Sequence, residues 1–344
     1  MNGQENNIKN IRFEKMHHLG NDFIMIDFRG MSDFFYGGFH EKYAKKICDR
    51  HFGIGADGVI ALLESDDKNY DFKMEIINSD GSFAMMCGNG LACLAAFIVK
   101  NGFFKENNGS NRAVSLNIIT RSGLRVPSVS VLNEADNELK CRPSELNGFD
   151  VSIDMGKPEL DAAKIPVDIE LLNAGEGLNC VENSKSSADR SGRAAGEKVK
   201  INSKAVNLKY AFNDYICNIN LISMGNPHCV IITDKMPDYE SFKTLGALIE
   251  VHPLFPEKTN VEFVEIVSRD EINMKVWERG AGITLACGTG ACAVFYASYL
   301  NGLCGDKAKI NLPGGSASAG LRNDGHIILN CKPDFVFEGT YRLI

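Results

Sequence analysis

The chain has 344 residues, enough for two domains of ordinary size that each bury a core of their own. Its composition, 44% hydrophobic and 24% charged residues, is that of a globular protein. The formal net charge of −7 and the lack of any block rich in Lys and Arg argue against nucleic-acid binding, and no apolar run is long enough to span a membrane.

The chain begins with polar residues, 1–9, which lack the apolar stretch of a signal peptide. It contains 11 cysteines, an odd number in a long sequence without an export signal, so we expect reduced thiols rather than a disulfide framework. Most of them are expected to be small apolar residues of the core. Together these features predict a cytoplasmic protein.

The first half alternates short apolar segments with polar turns. Residues 11–28 predict two strands around the polar sequence at 17–22. The next predicted elements are, in chain order, a short amphipathic helix at 40–51, strands at 59–63 and 72–78, a turn at 79–81 and an apolar helix at 88–101.

The second half repeats this order. It has predicted strands at 261–267 and 273–277, a loop at 278–282 and a second apolar helix at 288–301. Many strands with few helices predict an α+β fold with much antiparallel sheet.

Composition also predicts how the chain is divided. Pro, Ser, Asn and Gly cluster near residues 143–150, which predicts an N-terminal half at 1–146 and a C-terminal half at 147–332. Residues 174–200 contain almost no large apolar side chain and are rich in Ser, Gly, Ala, Asn and charge. Such a segment buries too little surface to order itself, so we expect a mobile surface insertion.

A duplicated cysteine motif is the most informative feature. Cys87-Gly88-Asn89-Gly90 opens the first apolar helix, and Cys287-Gly288-Thr289-Gly290 opens the second. The first N–H groups of a helix lack internal partners and carry partial positive charge. Glycines there let a ligand approach the backbone, and a cysteine there is expected to have a lowered pKa. Each motif therefore predicts a base beside an anion-binding site.

Two equivalent motifs suit a reaction at the two faces of one carbon. If both helices direct their N-termini at a common cleft, their amides bind the carboxylate of an amino acid. One thiolate then removes the α-proton, and the opposite thiol delivers a proton to the other face. The duplication predicts an amino-acid racemase or epimerase with Cys87 and Cys287 as its acid–base pair and with no cofactor or metal.

Other interpretations stay open on these residues alone. Either leading cysteine also suits a structural helix cap or a core position. A zinc site would use Cys87 with Cys93 or Cys287 with Cys292, but these spacings are not C-x2-C and no histidine pair follows. A phosphate-binding loop lacks its Lys-Ser/Thr sequence. A reversible disulfide between Cys87 and Cys287 is compatible with the acid–base role, because two facing thiols would oxidise in an empty cleft.

Further segments carry a resemblance to the diaminopimelate epimerase family over nearly the whole chain. Besides the cysteine motifs, they are Lys15–Phe23, Arg50–Asp57, Asn78–Ser82, Met224–Val230 and Trp277–Gly282. The resemblance implies two pseudo-symmetric, strand-rich, barrel-like domains, each around a central helix, with the active site in the cleft between them. A last strand at 333–344 is implied to return to the first domain.

The resemblance also implies an activity. Members of the family interconvert LL- and meso-2,6-diaminopimelate without pyridoxal phosphate or metal, on the route to lysine and peptidoglycan. A homodimer is implied as well. The expected partner is a small amino-acid substrate, with neither nucleic acid nor membrane.

Site residues follow position by position from the resemblance. Cys87 and Cys287 match the two catalytic bases, and His228 and Glu278 match residues that tune the cysteines and hold ligand. The backbone cradle of the reacting carboxylate is matched by Gly88, Asn89, Gly288 and Thr289. The polar residues that hold the substrate, chiefly its distal end, are matched by Asn21, Asn78, Asn226, Asn260 and Arg279.

Three positions depart from the family pattern. His18 stands where Gly is usual, Gly58 where a substrate-contacting Gln is common, and Ile283 where Glu is usual. None coincides with a proposed acid or base, so the departures concern the pocket and the identity of the substrate. Two alternatives follow: a racemase of the same fold acting on another amino acid, and a non-catalytic amino-acid-binding homologue.

Overall fold

The computed structural model of the chain describes residues 10–104, 113–131, 148–176 and 205–343. Residues 177–200 of the predicted insertion lie outside this part. The chain divides into two compact units, which we call unit 1, Met1–Asp154 with Ile328–Ile344, and unit 2, Met155–Ile327. The domain limits drawn from the sequence stay a prediction.

Strands make up most of the described secondary structure. They are β1 (Asn10–His18), β2 (Asn21–Asp27), β3 (Gly58–Leu63), β4 (Phe72–Asn78), β5 (Phe83–Ala84), β6 (Ala113–Ser115), β7 (Ile118–Thr120), β8 (Gly123–Arg125), β9 (Ser128–Val131), β10 (Phe149–Asp154), β11 (Leu208–Phe212), β12 (Tyr215–Ser223), β13 (Pro227–Thr233), β14 (Asn260–Ser268), β15 (Glu271–Glu278), β16 (Gly282–Ile283), β17 (Lys307–Leu312), β18 (Gly315–Leu321), β19 (Ile327–Cys331) and β20 (Asp334–Arg342).

Helices are fewer. They are α1 (Ser32–Phe34), α2 (Lys45–Cys48), α3 (Gly88–Lys100), α4 (Ile169–Glu176), α5 (Tyr239–Glu250) and α6 (Gly288–Leu300). A π-helical stretch, Phe35–Ala44, joins α1 to α2 and contains Gly38 with a φ of 103°. In the part of the chain that the structure describes, no helix has both the length and the apolar character needed to cross a bilayer.

Unit 1 consists of two groups of strands around α3. One group has the order β20-β1-β2-β3-β4-β7-β8, and the other has the order β19-β10-β9-β6. Helix α3 contacts β1, β2 and β3 of the first group and β9 and β10 of the second. Its residues from Gly88 to Val99 are all buried, as expected for a helix that is apolar on every side.

Unit 2 is a sheet of order β11-β12-β13-β14-β15-β17-β18, in which β13 pairs parallel with β14. Side chains of β14 alternate between its two faces. Val261 and Phe263 belong to a core that includes Phe242 and Ile249 of α5. The intervening residue, Glu262, therefore faces the other side, where α6 contacts β13, β14 and β15.

The predicted α+β class is confirmed, with two strand-rich units that each contain a central helix. The strand pairings of the described residues close no barrel in either unit. Both central helices begin directly after a leading cysteine, so the fold of each unit fixes the place of one proposed acid–base group.

Candidate active site

Cys87 is the N-cap residue of α3. Its backbone is extended, with φ −142° and ψ 120°, and its sulfur accepts a hydrogen bond from the Gly90 amide at 3.5 Å. An N-cap side chain that accepts from the third helical amide satisfies one of the free donors at the helix start. The sulfur therefore lies beside the first amides of α3, a position that favours the binding of an anion.

A tight hairpin turn places two polar side chains beside Cys87. Leu19 and Gly20, with φ of 55° and 83°, connect β1 to β2, so that His18 and Asn21 lie directly opposite each other. Positive φ at both central residues is the hallmark of a type I′ hairpin turn. The Cys87 sulfur donates to Asn21 Oδ1 at 3.6 Å, which brings two predicted site residues together.

A chain of amides extends from this contact to a buried histidine. Asn21 Nδ2 donates to the Asp57 carboxylate at 2.8 Å, so Asn21 Oδ1 must be the acceptor of the Asn89 amide at 3.2 Å. Asn89 Oδ1 then faces His18 Nδ1 at 2.9 Å, which fixes the proton of this ring on Nδ1. Burial lowers the pKa of His18 below its usual value, so the ring is neutral at neutral pH.

Ion pairs among charged residues hold this hairpin in place. Asp22 accepts from Arg50 at 2.8 Å and is paired with Lys15 at 2.6 Å. Burial alone would raise the pKa of Asp22, but the hydrogen bonds from Arg50 and Lys15 outweigh it and hold that pKa well below its usual range. Arg50 also donates to Asp57 at 2.7 Å. The carboxylate that orients Asn21 is thus itself fixed in place.

Asn78 lies at the end of β4, in a segment that contacts Asp57. Its side chain donates to Ser82 Oγ at 2.9 Å, and the following amide, of Ser79, donates to the Asp57 carbonyl at 3.0 Å. Asn78 pairs across the sheet with Gly58. Asn21 and the segment that follows Asn78 therefore meet at Asp57, a residue to which the sequence analysis assigned no role.

Gly58 has a structural reason to lack a side chain. A Cβ at this position would lie 2.6 Å from the carbonyl oxygen of Ile77 on the neighbouring strand. A backbone atom within a sheet cannot move aside cheaply. The close pairing of β3 and β4 therefore explains why this chain has Gly at position 58 instead of Gln.

Gly58→Ala is expected to lower the free energy of unfolding by about 1–3 kcal/mol, because the added methyl group must displace a backbone carbonyl. Urea denaturation measures the change. Gly305→Ala is the matched control, since a Cβ there meets nothing within 4 Å, and it should stay within about 0.5 kcal/mol of the parent. Equal stability of the two variants would contradict the steric account.

Cys287 is the N-cap residue of α6 in the same way. Its sulfur accepts from the Gly290 amide at 3.3 Å and lies 3.5 Å from Thr289 Oγ1. Burial raises the pKa of this thiol well above its usual value, and the charges of Glu278 and Glu262 raise it further. The predicted lowering of the pKa is wrong for Cys287, because burial outweighs the hydrogen bonds from Thr289 and the helix amide.

His228 is connected to Cys287 through two polar side chains. Its Nε2 lies 3.1 Å from Asn226 Oδ1, and Asn226 Nδ2 donates to Thr289 Oγ1 at 3.3 Å. Thr289 contacts the sulfur of Cys287. Four of the residues predicted in unit 2 therefore form one hydrogen-bonded chain.

Glu278 contacts Cys287 from the other direction. Its carboxylate accepts from Thr284 Oγ1 at 2.5 Å and is hydrogen-bonded to Cys287. Burial raises the pKa of Glu278 above its usual value, although both hydrogen bonds act in the opposite sense. A half-buried carboxyl beside a thiol is a group that can exchange a proton with it or orient it.

Asn260 and Arg279 form the outer part of this set. Asn260 lies opposite His228 on β14, donates to the Pro227 carbonyl at 2.8 Å and accepts the Arg279 amide at 2.9 Å. The Arg279 side chain is exposed and donates to the Glu257 carbonyl at 3.2 Å. Ile283, the third departure, is an exposed residue of β16.

The alternative zinc pairs are not supported by burial. Cys93 and Cys292 are fully buried residues of α3 and α6, and burial raises the pKa of Cys93 well above its usual value. Both positions fit the small apolar core residue that free cysteine resembles.

Comparison with known proteins identifies relatives of this chain. A sequence profile described as diaminopimelate epimerase matches residues 13–138 and 220–336. A diaminopimelate epimerase of Halothermothrix orenii is 40% identical over 305 residues, which cover 89% of each chain. Those of Pelotomaculum thermopropionicum and Microcystis aeruginosa are 36% and 38% identical, each covering 96% of this chain and 99% of the relative.

The chain belongs to the diaminopimelate epimerase family. Both cysteine motifs lie within the matched segments, and the predicted insertion at 174–200 lies between them. The family is one of isomerases.

Solved structures of the same fold are more distant in sequence. A hydroxyproline epimerase from Agrobacterium vitis has a TM-score of 0.59 at 12% identity and covers 98% of this chain and 93% of its own. A phenazine biosynthesis protein from Bacillus anthracis has a TM-score of 0.57 at 12% identity, with 97% and 99% covered. At this identity the likeness establishes the fold alone.

Proposed function

We propose that this chain is an epimerase that interconverts LL- and meso-2,6-diaminopimelate; its relatives carry the name diaminopimelate epimerase. One observation carries the proposal beyond family membership. Each unit presents a cysteine sulfur at the N-cap of its buried central helix, with the amides of Gly90 and Gly290 directed at the two sulfurs at 3.5 and 3.3 Å. Two equivalent acid–base groups are what stereoinversion at one carbon requires.

In the proposed reaction Cys87 and Cys287 act on opposite faces of the substrate α-carbon. One thiolate removes the α-proton, the C–H bond breaks, and its electron pair spreads into the adjacent carboxylate. The other cysteine, as a thiol, delivers its proton to the opposite face, so the two sulfurs exchange protonation states. Helix-start amides at Gly88, Asn89, Gly288 and Thr289 stabilise the charge that develops on the carboxylate. The scheme needs no cofactor and no metal.

The two cysteines are assigned different resting states. The raised pKa of Cys287, caused by burial and by Glu278 and Glu262, keeps this thiol protonated at neutral pH. Cys287 is therefore the proton donor of the resting enzyme. Cys87 is half-buried and is the base in that direction, and the roles reverse in the opposite direction.

The distal end of the substrate is assigned to the polar residues around the two cysteines. An arginine fork binds a carboxylate, and asparagine side chains both donate and accept around an ammonium and a carboxylate. The residues are Asn21, Asn78, Asn226, Asn260 and Arg279. Among them, Arg279 is exposed, which fits a side chain that closes on a ligand from solvent.

The test is incubation of the reduced protein with LL-diaminopimelate in deuterated water. NMR and chiral chromatography should detect meso product that carries one deuteron at the inverted α-carbon. A folded protein that leaves LL-diaminopimelate unchanged but inverts another amino acid from a panel would favour the racemase alternative. Tight binding without any α-hydrogen exchange would favour a non-catalytic binding protein.

We also propose that the protein is cytoplasmic. This proposal fits the cysteines of the described residues, which are all free thiols.

We further propose a homodimer that joins through β20. Strand β20 ends the strand order of its sheet, and its Phe335, Val336 and Phe337 are 41%, 49% and 43% exposed. An exposed apolar edge strand readily pairs with another chain. Light scattering should report a dimer, and Val336→Lys should give a monomer; a monomeric parent protein would refute this interface.

A further inference from the structure

A buried carboxylate without an assigned role lies under the start of α6. Glu262 of β14 is fully buried, and its Oε1 is 2.6 Å from Nδ1 of His228, which is equally buried. Its other oxygen, Oε2, has no hydrogen-bond partner among the described residues. A buried carboxylate is costly unless it is paired. His228 is the partner that balances it.

Glu262 also lies close to the sulfur of Cys287. A Cβ at Gly290 would stand 2.9 Å from Glu262 Oε1 and 3.2 Å from the sulfur. The carboxylate and the sulfur thus flank the same glycine on the first turn of α6. A negative charge here disfavours the thiolate unless a positive charge accompanies it.

The hydrogen-bond partners of His228 fit a positively charged ring. Both ring nitrogens face acceptors, Glu262 Oε1 at 2.6 Å and Asn226 Oδ1 at 3.1 Å. A ring that donates from both nitrogens is an imidazolium. The Asn226 amide then donates to Thr289 Oγ1 at 3.3 Å, and the Thr289 hydroxyl has its own hydrogen to donate to Cys287. With the Thr289 hydroxyl as donor to Cys287, the donors from His228 Nε2 onward all point toward the sulfur.

We propose that Glu262 is a positioning residue of the second half-site, which holds His228 as an imidazolium and so directs the chain from His228 through Asn226 and Thr289 toward the Cys287 thiolate. The role rests on the proposed function, in which Cys287 alternates between thiol and thiolate. Glu262 itself touches neither substrate nor sulfur, and it acts through His228.

The groups that surround this chain are few among the described residues. Glu278 approaches from β15 and is coupled by charge to both Glu262 and His228. Cys287 approaches from the start of α6. Cys229, the neighbour of His228 on β13, is fully buried and feels the charge of Glu262. The test therefore changes Glu262 alone and leaves these three groups in place.

Glu262→Gln keeps the shape and removes the charge. The glutamine oxygen still accepts from Nδ1, but no negative charge remains beside the ring to stabilise a proton on both of its nitrogens. Nε2 then becomes an acceptor, Asn226 turns its amide toward it, and Thr289 donates to Asn226 instead of to Cys287. At pH 8 we expect kcat to fall by about 10- to 100-fold, as for the loss of a charge-assisted hydrogen bond, with KM nearly unchanged.

The split between kcat and KM separates this role from a structural one. Glu262→Gln should lower kcat alone, because Glu262 does not touch the substrate and acts through His228. Glu265→Gln, on the same strand and bonded by Asn273 at 3.2 Å, is the matched control and should keep the kcat and KM of the parent enzyme. A Glu262→Gln enzyme that changes KM as much as kcat, or a Glu265→Gln enzyme that loses as much kcat, would overturn the proposal.

A second measurement does not depend on activity. In protein labelled with ¹⁵N-histidine, His228 should show two protonated ring nitrogens at pH 8, and in Glu262→Gln only one. The signals are assigned by their loss in His228→Gln. A neutral His228 in the parent protein refutes the proposal even if the enzyme inverts diaminopimelate. If His228 is an imidazolium but the protein does not invert diaminopimelate, the ion pair of Glu262 with His228 is supported and only the proposed function is refuted.

Discussion

Replacing either leading cysteine by alanine is expected to abolish inversion while leaving hydrogen exchange on one face. The remaining cysteine can still remove the α-proton on its own side and return a deuteron to the same face. No group delivers a proton from the other side, so kcat for inversion should fall by about 10³-fold or more, within the range for a lost general acid or base.

The two single variants should also complement each other. Cys287→Ala should exchange the α-hydrogen of one stereoisomer only, and Cys87→Ala should exchange that of the other. NMR in deuterated water measures both exchange rates, and chiral chromatography measures the residual inversion. Opposite stereoisomer preferences of the two variants would distinguish a reaction with two bases from one in which a single base serves both faces.

Matched controls lie in the same helices. Cys93→Ala and Cys292→Ala remove fully buried thiols of α3 and α6, so they should cost stability, about 1 kcal/mol for a small core truncation, but preserve inversion. If Cys87→Ala or Cys287→Ala inverted substrate at the parent rate, the two-thiol mechanism would be wrong. If both lost exchange with both stereoisomers, the thiols would not act on separate faces.

Elements with a continuous apolar run between turn residues were predictable from the sequence. Strands expected at 59–63 and 72–78 are found at Gly58–Leu63 and Phe72–Asn78. The helix expected at 88–101 is found at Gly88–Lys100. Each of these segments is buried along most of its length, so composition alone marks it.

Elements that depend on distant partners were not predictable in this way. Strand β18, Gly315–Leu321, is rich in Gly, Ala and Ser, and its pairing with β17 rather than its own propensity makes it a strand. The helical segment expected at 40–51 begins at Ser32 and ends at Cys48. Its early start follows from the burial of Phe35 and Phe39 in the core of unit 1.

The candidate site likewise has features that are local in sequence and features that depend on distant residues. The helix-start position of Cys87 and Cys287 is a local property, and the repeat revealed it. The raised pKa of Cys287 depends on burial by the whole unit, which no local pattern encodes. Glu262 gave no signal because its partner, His228, lies 34 residues away in the chain.

Gly290→Ala is expected to reduce kcat by about 100-fold, although it adds a single methyl group. The new Cβ would lie 2.9 Å from Glu262 Oε1 and 3.2 Å from the Cys287 sulfur. Neither atom is the end of a flexible chain, because the carboxylate is bound to His228 at 2.6 Å and the sulfur accepts the amide of residue 290 itself. One of them must shift, and misplacing an acid–base group by as little as about 1 Å can cost about 100-fold in rate.

The equivalent glycine of the other helix provides the control. A Cβ at Gly90 would lie 2.6 Å from the Cδ1 atom of Ile60 and 3.5 Å from Met74 and Phe23, so Gly90→Ala should be a packing change that costs about 1–3 kcal/mol of stability. Its kcat should fall by less than about tenfold, because apolar side-chain ends move and the Cys87 sulfur does not. Urea denaturation and kcat, measured on both variants, separate the two effects. Equal losses of kcat at the two positions would mean that the glycines serve only the packing of the helices and that the Glu262 carboxylate does not constrain the second cysteine.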